Sequence, residues 1–227
     1  MAAPDASPDH RSVSQSTSGW NIVFDFGAVL FNWRPGQLLM QTFPDVVQSR
    51  AQALPLAHQV FGHPDWHDFD RGVLAIDDVI ARTATRLTLP HAQLSQLVYG
   101  VGEALTPMRE TVSVLTKLRD RRDQARSDVA GLYYLSNMPI PYARTLEAKH
   151  DFLQWFDGGI FSGDVKHIKP KPEIYQLLQT RYALTPGRTV FVDDLKANVE
   201  AARQLGWHGI HFTRAEQLTV DLALLGL

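Results

Sequence analysis

The chain of 227 residues contains no cysteine. Disulfides, thiolate metal sites and a cysteine nucleophile are therefore excluded. Nor is there an excess of one charge: 22 Lys and Arg face 24 Asp and Glu, which leaves no electrostatic footprint for nucleic acid or an anionic membrane. The sequence has no run of about 18 apolar residues to span a bilayer. Residues 1–19, rich in Ala, Ser, Pro and Asp, lack the apolar stretch of a secretory signal; they read as a flexible tail and the protein as cytoplasmic. What is present is a hydrophobic content of 44% and a charged content of 20%, the balance of a globular enzyme. The length accommodates one α/β core and a smaller inserted unit.

Three apolar segments end on polar residues. Ile22-Val23-Phe24 reads as a strand covered on both faces, and Asp25 follows it. Open α/β sheets place ligands at such carboxyl ends, and Gly27 lets backbone come close to an ion or ligand. Alone, this segment reads equally well as an acidic turn. A second strand over 131–135 ends at Ser136-Asn137, and a third over 189–192 ends at Asp193-Asp194. Between them, Ile168-Lys169-Pro170-Lys171-Pro172 runs into a helix. Carboxylate, hydroxyl, lysine and paired acid, each near a strand end, make a phosphate and metal constellation. In order and spacing these residues resemble the four motifs of the haloacid dehalogenase-like hydrolase superfamily, most closely its phosphatase-like members with an inserted helical cap. The resemblance covers residues 20–215 and implies a Rossmann-like core.

The interval between the first and second strands is far longer than a crossover needs. Within it, apolar residues recur at three and four spacing over 37–43, 45–54, 76–87 and 90–99, punctuated by Pro44, Pro55, Gly62, Pro64, Gly72 and Pro90. Residues 36–105 therefore read as a helical cap, and residues 20–35 with 106–227 as the core. Thr106-Pro107 is the expected start of the next helix, and 119–128 a solvated charged loop. Helices over 140–149, 172–182 and 195–205 alternate with strands over 159–161 and 209–212, which makes the fold α/β, a doubly wound parallel sheet.

A carboxylate at a strand end can split a hard displacement into two easier steps through a covalent intermediate, and the resemblance makes Asp25 the nucleophile. Adjacent acids beside a third would repel unless a cation shares the site, and a site of oxygen ligands fits Mg²⁺; Asp194 could also serve merely as a helix cap. The resemblance implies that Asp25, the Gly27 carbonyl and Asp193 hold the metal, with Asp194 as a further ligand and Asn198 supporting it. Ser136 and Asn137 are candidates to hold phosphate oxygens. Lys169 would stabilise charge on the transferred group, with Lys171 and Lys166 as competitors. Asn32, Trp33 and Arg34 are candidates to line the cleft, Arg34 as an anion contact.

One position departs from the pattern. Most phosphatases of the superfamily carry a second aspartate two residues after the nucleophile, and here that position is Gly27. Loss of a general acid costs about 10²- to 10⁴-fold in rate. Either the leaving group departs unaided or another residue supplies the proton. The Asp-x-Gly form resembles that of bacterial glucose-1-phosphate phosphatases, which points to sugar phosphates. Residues 66–72 of the cap are dense in titratable groups and read either as a replacement acid or as an exposed polar loop. The expected activity is Mg²⁺-dependent hydrolysis of small phosphorylated metabolites through an aspartyl-phosphate. The alternatives are a metal-free 2-haloacid dehalogenase using the same aspartate and a binding protein that kept only the fold. No nucleic-acid or membrane partner is expected, and a homodimer is compatible with the sequence without being required by any motif.

Overall fold

Five parallel strands form the centre of the computed structural model, which describes residues 19–124 and 127–227. They are β1 (Trp20–Phe24), β2 (Val129–Ser136), β3 (Gly158–Phe161), β4 (Thr189–Asp193) and β5 (His208–His211), in the spatial order β3-β2-β1-β4-β5. The tail expected over residues 1–19 lies, Gly19 apart, outside the described residues, as do positions 125 and 126 of the expected charged loop.

β1 is central because its side chains are apolar on both faces. Ile22 and Phe24 pack into one core cluster and Val23 into another, as alternation along a strand requires. Phe24 pairs with Tyr134 of β2 and with Val192 of β4. The chain leaves β1 toward β2 and β3 on one side, then crosses to β4 and β5 on the other. The sheet therefore reverses its winding at β1, the point where such sheets open a crevice at their carboxyl ends.

Five helices, α1 (Pro35–Thr42), α2 (Arg50–Phe61), α3 (Pro64–Asp70), α4 (Ile76–Leu87) and α5 (His91–Ala104), separate β1 from α6 (Arg109–Arg122) and β2. The remaining helices are α7 (Ile140–Lys149), α8 (Ser162–Val165), α9 (Pro172–Arg181), α10 (Lys196–Gln204) and α11 (Ala215–Leu224). The first five pack on one another and reach the core where α5 meets α7 and α3 meets α8. In α4, Val79, Ile80, Thr83 and Ala84 form the buried stripe, while Asp77 and Asp78 in the first turn and Arg86 in the last complement the helix dipole. None of the helices among the described residues is long and apolar enough to cross a membrane.

Several boundaries differ from the sequence reading, each for a local reason. Pro55 lies inside α2 rather than ending a helix at residue 54. It faces solvent, so the carbonyl it leaves without a donor can be hydrated, while buried Ala53, Ala57 and Val60 hold the helix on its other side. Ser49 caps this helix by accepting the Gln52 N–H at 3.3 Å. Residues 64–70 form a helix and not a loop, opened by Pro64 and held by buried Trp66 and Phe69.

The next helix starts at Arg109 instead of Thr106-Pro107, because the segment before it is paired with the chain leaving β1. Asn32 N–H donates to the Thr106 carbonyl, and Met108 N–H to the Leu30 carbonyl, both at 2.8 Å. The two connections to the helical layer thus run side by side. α6 also continues through Arg122, four residues into the expected loop. Arg119 covers the Trp155 ring at 4.2 Å, and Arg122 donates to the Trp155 carbonyl at 2.6 Å.

The contact between α3 and the core depends on a glycine. Gly72 has φ of +67°, and a Cβ there would lie 2.6 Å from the Gly163 carbonyl oxygen. Gly72→Ala is expected to destabilise the protein by about 1–3 kcal/mol. Gly100→Ala should act in the opposite sense, because a Cβ in the middle of α5 meets nothing within 4 Å and Ala outranks Gly in a helix by roughly 0.5–1 kcal/mol. Urea unfolding of the two variants checks this, and a shift of the same sign in both contradicts it.

Candidate active site

The carboxyl ends of β1, β2 and β4 lie side by side, and each delivers a polar residue. Asp25 extends the β1 ladder by one residue, its N–H donating to the Val192 carbonyl at 2.9 Å. Its Oδ1 accepts the Phe26 N–H at 2.7 Å and faces Lys169 Nζ at 2.9 Å. Lys169 Nζ also donates to Asp193 Oδ2 at 2.7 Å. Asp193 Oδ1 accepts the Leu195 N–H at 2.8 Å and Asn198 Nδ2 at 3.0 Å. Asp25, Lys169 and Asp193 are 7%, 2% and 0% exposed, so this network lies almost wholly out of water. One carboxylate oxygen from each of Asp25, Asp193 and Asp194 lies within 4.8 Å of the others.

Lys169 comes from the loop between α8 and α9, and its backbone is fixed from β2. Asn137 Oδ1 accepts the Lys169 N–H at 2.8 Å, and Asn137 Nδ2 donates to the Lys169 carbonyl at 3.0 Å. The Asn137 side chain, expected to meet substrate, thus aims the lysine, and the residue also lines the cavity with Asp25. Its neighbour Ser136 is buried at the cavity floor, and its hydroxyl forms no hydrogen bond among the described residues. Lys166 and Lys171 are exposed and join no part of this network.

Asp194 does not cap α10. Asp193 takes the Leu195 N–H instead, and Asn198 bonds Asp193 rather than Asp194. Asp194 is half-buried with its carboxylate on the cavity. Arg34 is exposed, donates to Asn32 Oδ1 at 3.3 Å, and with Asn32 lines a neighbouring cavity that shares Trp33, Val101 and Leu105 with the one holding Asp25. Of residues 32–34 only Trp33 reaches the cavity that holds Asp25.

Burial and crowding set the proton affinities. Burial, offset by Lys169 and reinforced by Asp193 and Asp194, pushes the Asp25 carboxyl up to about 7. Burial and then Asp193 push Asp194 up to about 6. Burial pulls Lys169 down, but Asp193 and Asp25 outweigh it and hold the ammonium above its ordinary value. The lysine therefore stays charged, and with three acids ionised the cluster carries more negative charge than one ammonium offsets.

Above this floor is a cavity of about 250 Å³. Trp33, Phe61 and Trp66 form part of its wall, packed edge to face with ring centroids 5.1 and 4.6 Å apart. Val101, Leu105 and Tyr142 line it as well, and the Tyr142 hydroxyl donates to the Val98 carbonyl at 2.6 Å. From α3, His67 and Asp70 face the same space. Of this wall sequence reasoning singled out Trp33 alone as cleft lining, because Phe61, Trp66 and Tyr142 come from three helices whose spacing signals only burial. Gly27 lines the floor; a Cβ there would meet only Trp33, at 3.7 Å, so space alone does not demand glycine.

A model of the haloacid dehalogenase-like hydrolases matches residues 22–206. The sesquiterpene phosphatase astK of Aspergillus oryzae is 26% identical over 204 residues, 89% of this chain and 94% of that protein. The phosphorylated carbohydrates phosphatase of Thermotoga maritima is 24% identical over 195 residues, covering 84% of this chain and 83% of its own. Among solved structures, a HAD family enzyme of Bacteroides thetaiotaomicron in complex with magnesium and inorganic phosphate aligns with a TM-score of 0.65 at 17% identity, over 86% of this chain and 94% of that one. The sheet order, the strand-end residues and the family match over most of the chain agree: the chain belongs to the haloacid dehalogenase-like hydrolases.

Proposed function

We propose that the protein is a Mg²⁺-dependent phosphomonoesterase that cleaves small phosphorylated metabolites with an apolar body, through an aspartyl-phosphate on Asp25. The observation that carries this reading is the cluster of three carboxylates around a single buried ammonium. A surplus of buried negative charge is costly unless a cation offsets it, and a set of carboxylate and carbonyl oxygens suits Mg²⁺. Asp25, Asp193, Asp194 and the Gly27 carbonyl would hold the ion. When bound, it would offset the acids' charge and draw charge from the phosphoryl oxygens.

Asp25 attacks phosphorus, forming an Oδ–P bond as the P–O ester bond breaks. Water then attacks the phosphorus of the aspartyl-phosphate, releasing inorganic phosphate and regenerating the carboxylate. Lys169, held at fixed distance from the nucleophile, stabilises negative charge on the phosphoryl group. The free Ser136 hydroxyl at the cavity floor suits a phosphoryl oxygen. A 2-haloacid, itself a carboxylate, would have to approach three acids with no cation to offset them, which weighs against the metal-free dehalogenase alternative.

The relatives' names offer two substrate bodies, a terpene and a carbohydrate. Sugar hydroxyls would lose water against Trp33, Phe61, Trp66, Val101 and Leu105 and gain few partners there. The wall favours the apolar body over the sugar phosphate that the Asp-x-Gly form suggests.

Asp25→Asn is expected to lower turnover by about 10³-fold or more, and a chelator to abolish activity that Mg²⁺ restores. Halide release from 2-haloacids that survives the chelator would establish the dehalogenase instead. On a panel of phosphomonoesters, isoprenoid or alkyl phosphates should exceed sugar phosphates in kcat/KM. Trp66→Ala should erode that preference by roughly tenfold, as lost burial of about 1–2 kcal/mol implies; an unchanged ratio rejects the apolar body.

Metal binding should also depend on pH. Without the ion, Asp25 and Asp194 retain protons that the unfolded chain has released, so their contribution to stability is present at low pH and is lost as pH rises from about 4 through 7. A cation needs the deprotonated acids, so its stabilising effect grows across that window. The rise in Tm on adding Mg²⁺ should therefore be larger at about pH 8 than at about pH 5.5. Equal shifts, read by calorimetry, would remove the carboxylates from the ion's site.

A further inference from the structure

The geometry points to Asp70, at the end of α3, as the general acid and base of this hydrolysis, the catalytic group that position 27 does not supply. This assignment rests on the phosphomonoesterase reading above.

Asp70 shares the cavity with Asp25, Ser136 and Lys169, although it is 45 residues beyond the nucleophile and on a different layer. Its segment holds three acids, and two are already occupied. Asp65 pairs with Arg82 and His63, and Asp68 pairs with Arg71. The Asp70 carboxylate, half-buried, makes no hydrogen bond or ion pair among the described residues.

Its backbone, by contrast, is tethered to the core. The fully buried Ser162 hydroxyl donates to the Asp70 carbonyl and accepts the Met138 N–H at 2.8 Å. Ser162 thereby connects Asp70 to the loop that follows Ser136, and two residues on Gly72 packs against Gly163. A free carboxylate on a fixed backbone is what a proton carrier needs, since it must reach the leaving oxygen and then a water without being held by a partner.

The surroundings suit both protonation states. Burial pushes the Asp70 carboxyl well above the usual carboxylate range, and Lys169 pulls it partly back. The other groups facing the cavity are poorer candidates. Burial lowers His67, which leaves it neutral near pH 7. Burial holds Tyr142 far above its ordinary value, and its proton is already given to the Val98 carbonyl. Asp25 and Asp194 belong to the acid cluster with Asp193.

In the first step Asp25 forms its bond to phosphorus, the ester P–O bond breaks, and Asp70 gives its proton to the departing oxygen, which leaves as an alcohol. In the second, water attacks phosphorus while the Asp70 carboxylate takes a water proton. The bond from phosphorus to Asp25 breaks, phosphate departs, and Asp70 is again the acid.

The test is leaving-group dependence. An alkoxide needs a proton and a nitrophenolate does not. Asp70→Asn should cost about 10²- to 10⁴-fold in kcat/KM on an alkyl phosphate and far less on p-nitrophenyl phosphate. With the aryl ester, the first turnover should release nitrophenol in a burst whose amplitude counts folded, competent sites. The phosphoenzyme should then accumulate at Asp25 because its hydrolysis lacks the base. Asp70→Glu should restore part of the alkyl activity.

Equal losses on both esters without a burst would overturn the assignment, as would the selective loss appearing in His67→Gln instead. If the unaltered enzyme cleaves neither ester and no phosphate is trapped on Asp25, the phosphomonoesterase reading falls and this assignment falls with it.

Discussion

The Lys169 ammonium, placed between Asp25 and Asp193 at 2.9 and 2.7 Å, is the interaction around which the rest of the molecule is organised. Breaking a buried ion pair by removing one member costs about 3–5 kcal/mol, a large share of a domain's whole net stability. The fold meets that demand by drawing each member from a different part of the chain. β1 brings Asp25, β4 brings Asp193, and the loop before α9 brings Lys169. Asn137 sets the lysine's backbone and Asn198 sets the second acid. The sheet's change of winding at β1 makes this convergence possible, because only there do β2 and β4 flank the same strand.

The same arrangement leaves the charge unbalanced. Burial, reinforced by the neighbouring acids, displaces Asp25 and Asp194 upward. The unbalance is local, since the floor is charged and the walls are aromatic. The cavity is therefore polarised, with charged groups at one end and aromatic rings in its wall.

How much of this could be read from the sequence depended on distance along the chain. Strand ends were legible because an apolar run closed by Asp25, Ser136 or Asp193 is a local signal. The α4 and α7 boundaries were legible because their stripes are uninterrupted. Arg34 is paired with Asn32, itself held by Thr106 74 residues away, a contact that no local pattern announces. The second task of Asn137 was not legible, because its amide faces a backbone 32 residues on. Pro55 looked like a stop because the cost of a proline in a helix is local, whereas the packing that outweighs it is tertiary. The rest of the aromatic wall had no signature, since Phe61 and Trp66 look like any buried helix residue until the helices meet.

The pairing of the two connections, Leu30 and Asn32 with Thr106 and Met108, means that more than seventy residues enter and leave the sheet through one doorway. From the viewpoint of β1 and α6, that excursion is a side branch whose two roots touch. Mutational drift in the branch can reshape the roof over the reacting centre while the strands below keep their register. Selection for a new cargo and selection for a working catalyst can thus act on separate stretches of one gene.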